Sequence, residues 1–226
     1  MYCSGTCGDK GGGKKGQGGF GLAIRETIAR AAVRPPEFIY ERLLKVTLTL
    51  QPFVFTYGPT ECTRDESKKG TFWAALDGAV KEVPKHEQLI ILMDANARTG
   101  RRGGGRSGNE HCGALGAYGR DTRNDNGDLL LAFASNHDLA LVNTFFSTPQ
   151  NGISHTFNGA GNRKRIDYIL TRQRDRKLVR NVVVHPQPSF LSISDHNAVV
   201  AHVKLLGRFA RNRQVRRDIK PSLDRR

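Results

Sequence analysis

Three short polar insertions in this sequence stand beside apolar runs that are typical of buried strands. Asp94 and Asn96 follow LIILM, Asp167 interrupts RIDYIL, and the adjacent pair Asp195 and His196 precedes NAVVAHVKL. An ionisable side chain within an apolar strand is costly unless it is paired. Each insertion alone is more often a structural cap or a satisfied carboxylate, but three of them in one β-rich region indicate a shared site.

These residue types suit the metal-assisted hydrolysis of a phosphodiester. A hard cation takes carboxylate oxygens as ligands and neutralises charge on the phosphate. A second carboxylate can accept a proton from the attacking water, and an asparagine amide can hold the water or the phosphate. A histidine held by another carboxylate can stay cationic and stabilise the pentacoordinate oxyanion. The five residues supply these types, but they do not complete a set of metal ligands.

The 226 residues carry a net charge of +15, which indicates a polyanionic partner. DNA is the first expectation and RNA the alternative. The positive charge is densest in residues 172–180 and 204–226, the latter with nine Lys or Arg and two Asp. The candidate nucleic-acid contacts in the first segment are Arg172, Arg174, Arg176, Lys177 and Arg180. The alternative interpretation of both segments is a solvated surface.

The cysteines and the N-terminal sequence favour an intracellular protein. Cys3, Cys7, Cys62 and Cys112 do not form the framework of a small secreted domain, so we expect reduced thiols. MYCSGTCGDK lacks the apolar core of a secretory signal, and the runs LIILM and LLLAFA are too short to span a bilayer. We therefore expect no membrane partner, and a nuclear location if DNA is the substrate.

Other ligand sites and chemistries are not supported by the motifs. GDKGGGKK has the spacing of a phosphate-binding P-loop, but Lys15 stands where the magnesium-binding Ser or Thr belongs and no apolar strand precedes it. Cys3 and Cys7 have no matching Cys/His pair at zinc-finger spacing. A G-x-S-x-G motif is absent, which argues against a serine hydrolase. We expect no small-molecule cofactor, and the sequence does not predict the oligomeric state.

Residues 20–206 are predicted to form one domain rich in strands, with two amphipathic helices. The helices are SKKGTFWAALDGAVKEV, which Pro84 ends, and NGDLLLAFASNHD. The strands are FGLAI, LLKVTLTL, FVFTYGPT, QLIILMDANA, LALVNTFF, SHTFNG, KRIDYILT, NVVVHP and HNAVVAHVKL, with RPPEF a turn and 100–125 a loop. Neighbouring strands favour antiparallel or mixed sheets with outer helices. Residues 1–19 are expected to be a flexible glycine-rich lead and 207–226 a disordered basic tail.

Four segments resemble, in order, the endonuclease/exonuclease/phosphatase superfamily. They are LIILMDANARTG, RNDNGDLLLAFASNHDLALVNTFF, SHTFNGAGNRKRIDYIL and SISDHNAVV. RLLKVTLTL and TYGPTE narrow the likeness to the apurinic-type endonuclease domains of LINE non-LTR retrotransposons and to craniofacial development protein 2-like proteins. The resemblance covers residues 18–206. It implies an α/β fold of the DNase I-like type, a four-layer sandwich of two packed mixed sheets with outer helices, which cuts DNA with Mg²⁺ or Mn²⁺.

The resemblance also implies a role for each residue of the motifs. Asp94 matches the general base for the attacking water and lies on the metal side, and Asn96 matches the residue that holds the water or the phosphate. Asp167 matches the carboxylate that orients the histidine. Asp195 matches a metal-side carboxylate, and His196 matches the imidazolium that faces the phosphate.

Two departures from the family pattern accompany these matches. Tyr57 in TYGPT matches the tyrosine that approaches the scissile phosphate, but Met93 replaces a glycine before Asp94. No counterpart of the N-terminal Asn and of the metal-binding Glu precedes GQGGFGLAI, and Glu26 lies too close to Tyr57 to replace that Glu. The resemblance therefore predicts missing first strands and an incomplete metal site, which Glu61 is one candidate to fill. The alternative function is an inactive basic remnant that binds DNA or RNA.

Overall fold

The computed structural model describes residues 2–5, 19–22, 37–40, 42–48, 51–60, 66–102, 113–159, 161–186 and 194–205. Most of the predicted lead, the whole basic tail, Glu26 and Glu61 lie outside these ranges.

The described chain forms twelve strands and two α-helices. The strands are β1 Tyr2–Gly5, β2 Gly19–Leu22, β3 Glu37–Tyr40, β4 Leu43–Leu48, β5 Gln51–Tyr57, β6 Ile90–Asp94, β7 Leu139–Leu141, β8 Phe157–Gly159, β9 Asn162–Lys164, β10 Asp167–Arg172, β11 Val179–His185 and β12 Ala198–Val203. The helices are α1 Glu66–Lys81 and α2 Asp125–Asn136, and the 3₁₀ helices are η1 Val142–Thr144 and η2 Gln173–Leu178. Both predicted α-helices are confirmed within two residues of their expected ends.

A six-stranded mixed sheet with the order β3-β4-β5-β6-β10-β7 is the centre of the fold. Strands β5 and β6 run parallel, whereas the other neighbouring pairs are antiparallel. Helix α1 connects β5 to β6, as a parallel connection requires. The central strand β6 is apolar up to Asp94, its last residue, because both faces of the sheet are covered there.

Both helices pack on one face of this sheet. Helix α1 buries Phe72, Leu76 and Val80, whose four-residue spacing places them on one side of the helix. Trp73 packs against Phe133 of α2 with ring centroids 5.6 Å apart, which joins the two helices. Neither helix is long and apolar enough to cross a membrane, and this holds for every helix in the described ranges.

A second sheet, the antiparallel pair β11–β12, covers the other face. Val179 and Val182 of β11 pack against Ile90 and Ile169 of the central sheet. The described residues therefore form three layers, with helices, a mixed sheet and a two-stranded sheet in that order. The α/β sandwich class is confirmed, although a helix on the outside of the second sheet is not among the described residues.

Some segments differ from their sequence-based predictions. Strand β3 begins within RPPEF, which we predicted as a turn. LALVNTFF is extended only over β7, because the Thr144 hydroxyl donates to the Leu141 carbonyl at 2.6 Å and closes a 3₁₀ turn. Strand β1 lies in the predicted lead, and its backbone pairs with that of β2, which begins at Gly19.

Candidate active site

The register of the central sheet brings three of the predicted residues side by side. Tyr57 pairs with Asp94 across β5 and β6, and Asp94 pairs with Asp167 across β6 and β10. Strands β5 and β6 are parallel and end at the same edge, while β10 is antiparallel to β6 and begins there. One edge of the sheet therefore carries all three side chains, as the strand-end positions in the sequence suggested.

His196 joins this edge through Asp167. Its Nδ1–H donates to the two carboxylate oxygens of Asp167 at 3.0 and 3.2 Å, and its ring packs edge-on against Phe157 at 5.3 Å. The Thr156 hydroxyl accepts the backbone N–H of Asp167 at 3.1 Å, which fixes the start of β10. The hydrogen bond to Asp167 raises the pKa of His196 to about 8, against the opposing effect of burial. The imidazolium is therefore the prevalent form at neutral pH.

The other ring nitrogen of His196 faces two further carboxylates. Its Nε2 lies 3.9 Å from Oδ2 of Asp94 and 3.8 Å from Oδ1 of Asp195. The Nδ1 bond to Asp167 fixes the ring plane and so directs the second N–H towards the space between these carboxylates. The predicted residues Asp94, Asp167, Asp195 and His196 thus meet in space.

Asp94 has a pKa well above that of an ordinary aspartate. Burial and the neighbouring Asp167 raise its pKa to about 7, although the backbone N–H of Asn96 and the charge on His196 favour the carboxylate. That N–H donates to Oδ1 of Asp94 at 3.1 Å. A carboxylate whose pKa lies near neutral pH is suited to accept a proton from water.

The loop after β6 is held in an unusual conformation. Asn96 has φ of 47°, a left-handed conformation that asparagine tolerates better than most residues. Its Nδ2 donates to the Gly58 carbonyl at 3.0 Å, and its amide oxygen accepts no hydrogen bond from a described residue. A Cβ at Gly58 would lie 2.8 Å from the Ala95 carbonyl oxygen, so the β5 and β6 loops approach too closely for a side chain there. The Asn96 amide oxygen remains available to a ligand.

Met93, which stands where the family has a glycine, does not crowd this loop. It lies within β6, is 3% exposed and packs in the apolar core on the helix side of the sheet. The tight turn starts one residue later, because the backbone N–H of Ala95 donates to the Ile166 carbonyl at 2.8 Å.

The N-terminus of α2 fastens the same loop, a feature that our sequence analysis missed. Oδ1 of Asn124 accepts the N–H of Gly127 at 3.0 Å as an N-cap and that of Arg98 at 2.8 Å. Nδ2 of Asn126 donates to the carbonyls of Pro59 at 3.0 Å and Asn96 at 3.1 Å. An asparagine just before an apolar helix is a capping signal, so Asn124 could have been identified from RNDNG.

A cavity of about 400 Å³ opens at this edge of the sheet. Of the predicted site residues, Tyr57, Asp94, Asn96, Asp195 and His196 line it, while Asp167 lies behind the histidine. Arg98 and Lys164 also line it, and the sequence analysis had not singled out either cation. Lys164 ends β9, three residues before Asp167, so its proximity to the site could have been inferred only with the β8–β9 hairpin known. The cavity therefore combines carboxylates with cations.

The predicted basic segment lies elsewhere. Strand β10 begins at Asp167 and runs to Arg172, about 17 Å away at 3.3 Å per residue, so η2 follows at the opposite end of the sheet. Arg172 is buried, and its guanidinium donates to the carbonyls of Val83, Pro84 and Glu87. Arg172 therefore holds the loop after α1 and is removed from the set of nucleic-acid contacts. Arg174, Arg176, Lys177 and Arg180 are exposed, but they do not line the cavity.

Comparison with known proteins identifies the family. The model of the endonuclease/exonuclease/phosphatase family matches residues 1–196. This chain belongs to the endonuclease/exonuclease/phosphatase family. The match ends at His196, the residue that completes the cluster at the cavity.

Curated relatives match part of this chain. The chain is 29% identical over 171 residues to craniofacial development protein 2 of Bos taurus, a match that covers 73% of this chain and 27% of that protein. The chain thus spans about a quarter of the length of the curated relatives it matches.

Among solved structures, an AP endonuclease from Archaeoglobus fulgidus matches with a TM-score of 0.53 and 15% identity, over 73% of this chain and 66% of that one. The 3' phosphatase NExo from Neisseria, solved with a product DNA hairpin, matches with a TM-score of 0.52 and 18% identity, over 72% and 65%. The endonuclease domain of TRAS1, a telomere-specific non-LTR retrotransposon, matches with a TM-score of 0.47 and 17% identity, over 73% and 64%. At these identities the first two likenesses establish the DNase I-like fold.

The endonuclease/exonuclease/phosphatase family is generally metal-dependent, and the donor set of the cavity fits a hard divalent cation. Ligand atoms of Asp94, Asp167 and His196 lie within 4.8 Å of one another. Because Asp167 is bonded to His196, the donors that face the cavity are the carboxylates of Asp94 and Asp195 and the Asn96 amide oxygen. Oxygen donors of this kind, with the remaining positions left to water and phosphate, suit Mg²⁺ or Mn²⁺.

Replacing Asp167 with Asn should lower the pKa of His196. The carboxylate accepts the Nδ1–H bond that raises this pKa to about 8, and a neutral amide removes both the bond to a charged group and the attraction. We expect the pKa to fall below 7 in the metal-free protein. The measurement is an NMR titration of the imidazole Cε1–H signal, assigned with His196→Gln. An unchanged pKa would show that Asp167 does not set the charge of His196.

Proposed function

We propose that this chain hydrolyses phosphodiester bonds in DNA as an endonuclease that requires Mg²⁺ or Mn²⁺. The observation that carries the proposal is the His196 imidazole, held by Asp167 and directed between Asp94 and Asp195 at the mouth of the cavity. Family membership supports hydrolysis of a phosphate ester. A net charge of +15 supports a polyanionic substrate, and the motif order given above supports a retrotransposon origin.

Three residues of the chain have different roles in an in-line hydrolysis. Asp94, with a pKa of about 7, accepts the proton of the attacking water. The amide of Asn96 orients that water or the phosphate, since its oxygen is not engaged by a described residue. The Nε2–H of His196 donates to a phosphoryl oxygen and stabilises the charge that develops there.

The cavity's remaining residues hold the substrate and the cation. Lys164 and Arg98 line the cavity and attract the phosphates that flank the scissile bond. Asp94 and Asp195 would hold a divalent cation, which would supply Lewis-acid neutralisation of the phosphate charge. Tyr57, opposite Asp94 in the neighbouring strand, completes the wall that the scissile phosphate approaches.

The proposal is tested by nicking of supercoiled plasmid, with and without an abasic site, in Mg²⁺ or in EDTA. We expect cleavage that requires the metal ion and falls at least about 100-fold in His196→Ala, because one charge-stabilising donor is lost. His202→Ala is the matched control, because His202 is exposed on β12 and does not line the cavity. Faster nicking of the abasic plasmid would define the substrate as apurinic DNA.

The same experiment distinguishes the alternative function. A folded protein that shifts DNA at low salt but does not cleave it in either metal ion would be an inactive DNA-binding remnant. Circular dichroism and thermal melting of each variant establish that it is folded before its activity is compared.

A further inference from the structure

Exposed cations gather at the end of the central sheet that lies opposite the cavity. We call this group the distal basic surface, and its members are Lys85, Arg174, Arg176, Lys177, Arg180 and Lys204. Several backbone contacts bring them together. The guanidinium of Arg174 donates to the Glu87 carbonyl at 3.0 Å, and the Lys204 N–H donates to the Leu178 carbonyl at 2.9 Å.

Two strands place this surface far from the catalytic cluster. Along β10, Arg172 lies about 17 Å from Asp167, and η2 with its cations follows immediately. Along β12, Lys204 lies about 26 Å from His196 at 3.3 Å per residue. Since both strands begin beside the cavity, the two estimates agree that the surface is at the opposite end of the fold.

The distal basic surface has an excess of positive charge and partly fixed side chains. Lys177 and Arg180 make no ion pair with a described residue, whereas the Arg174 Nε lies 3.6 Å from the buried Asp175 carboxylate. The Arg176 guanidinium stacks on the Phe145 ring at 4.4 Å. The acidic side chains nearby are Asp175, Glu87 and Asp138, which leaves an excess of cations. Side chains that are already positioned lose less entropy when they bind phosphates.

The chain leaves the described fold at this surface. Strand β12 ends at Val203, and beyond Leu205 the sequence continues into 207–226, which carries eight Lys or Arg and two Asp. The positive charge of the surface and that of the following sequence are therefore continuous along the chain, which favours a large polyanion over a small acidic ligand.

We propose that the distal basic surface binds the phosphate backbone of a second nucleic-acid segment while the cavity holds the first. Double-stranded DNA has a persistence length of about 150 bp, so a duplex that enters the cavity does not turn sharply around the sheet to the opposite end. Lysine and arginine side chains bind such a segment through its phosphates without reading its sequence. This inference rests on the proposed function, which places the first nucleic-acid segment in the cavity.

A bridging assay in EDTA tests this inference without requiring catalysis. A biotinylated duplex on beads is incubated with the full chain and a fluorescent duplex of different sequence, and capture of the fluorescent duplex is measured against salt. We expect the wild type to capture it. For the second duplex, log K falls as log salt rises. In the triple variant Arg174→Ala/Lys177→Ala/Arg180→Ala this fall should be less steep by about 3 in slope, one for each cation. Its binding to the first duplex and its plasmid cleavage should be unchanged.

Two variants of equal charge serve as controls. Lys68→Ala/Lys69→Ala/Lys81→Ala removes three cations from α1, and Arg211→Ala/Arg213→Ala/Arg216→Ala removes three from the C-terminal sequence. Equal loss of capture in the α1 variant, or loss only in the C-terminal variant, would overturn the assignment. Equal weakening of first-duplex binding in the distal variant would show that one duplex contacts both ends. Absence of cleavage with capture intact would overturn the proposed catalytic function alone.

Discussion

Asp94→Asn is expected to lower the rate of DNA cleavage by about 10²–10⁴-fold, the range for loss of a general base. Asp94 is the carboxylate that faces the His196 Nε2, lines the cavity and has a pKa near 7. An amide of the same shape keeps its hydrogen bond from the Asn96 N–H at Oδ1 but neither accepts a proton nor carries the negative charge that holds a cation. The loss should appear in kcat.

Stability should not fall with this substitution. Burial and Asp167 raise the pKa of Asp94 to about 7, above its value of about 4 in an unfolded chain, so stability is lost as the pH rises between these two values and the full penalty is present above pH 7. The neutral amide removes that penalty, and at pH 8 the midpoint of thermal unfolding should equal or exceed that of the wild type. Asp128→Asn, at an exposed carboxylate in the first turn of α2, is the matched control for both measurements. A variant that retained wild-type kcat would exclude Asp94 as the base.

The wild-type rate should rise with pH as Asp94 loses its proton. A base with a pKa of about 7 is largely protonated at pH 6, and a cation bound beside it moves the rising limb to lower pH. In the Asp94→Asn variant this limb should disappear from the profile of kcat against pH.

Gly127→Ala is expected to destabilise the fold by about 3 kcal/mol and to remove activity with it, because the new methyl group overpacks a site that cannot yield. A Cβ at Gly127 would lie 1.9 Å from the Arg98 carbonyl oxygen and 3.2 Å from Oδ1 of Asn124. Both atoms belong to the contacts that fasten the loop after β6, since Asn124 caps α2 and holds the Arg98 N–H. Relief of the clash must separate α2 from the loop that carries Asn96.

The matched control is expected to change the stability in the opposite direction. Gly78 lies inside α1, and a Cβ there would meet nothing within 4 Å, so Gly78→Ala should stabilise the protein by about 0.5–1 kcal/mol. Urea unfolding at equilibrium gives both values. If the Gly127→Ala protein were as stable as the wild type, α2 and the loop after β6 would not be packed as closely as described.

Some site residues could be predicted from their side-chain chemistry, whereas others could be recognised only in the folded structure. Asp94, Asp167 and His196 could be predicted because a charge at the edge of an apolar strand needs a partner, and the structure provides these partners for one another. The pairing of β6 with β10 could not be derived, because these strands are far apart in the sequence and nothing local in either specifies its neighbour.

Other residues depended on burial and on long-range hydrogen bonds. Arg172 stands in the same basic run as Arg174, but only its position on a buried strand directs its guanidinium to backbone carbonyls rather than to solvent. Asn126 donates to the Asn96 carbonyl, about thirty residues earlier in the sequence. The sequence around Asn126 resembles that of any helix start. Periodicity predicts which elements form, whereas the contacts between them decide which polar side chains are structural.

The pairing of β6 with β10 also has a consequence for synthesis of the chain. Asp94 and Asp167 are adjacent in the sheet but about seventy residues apart in sequence, so a ribosome that adds about 5–20 residues per second exposes IILM for several seconds before β10 emerges. During that interval the nascent sheet has an open apolar edge, which is the type of surface that recruits other strands or chaperones. Slow translation through residues 113–159 would therefore be expected to increase misassembly of this chain, although that region contributes none of the catalytic groups named above.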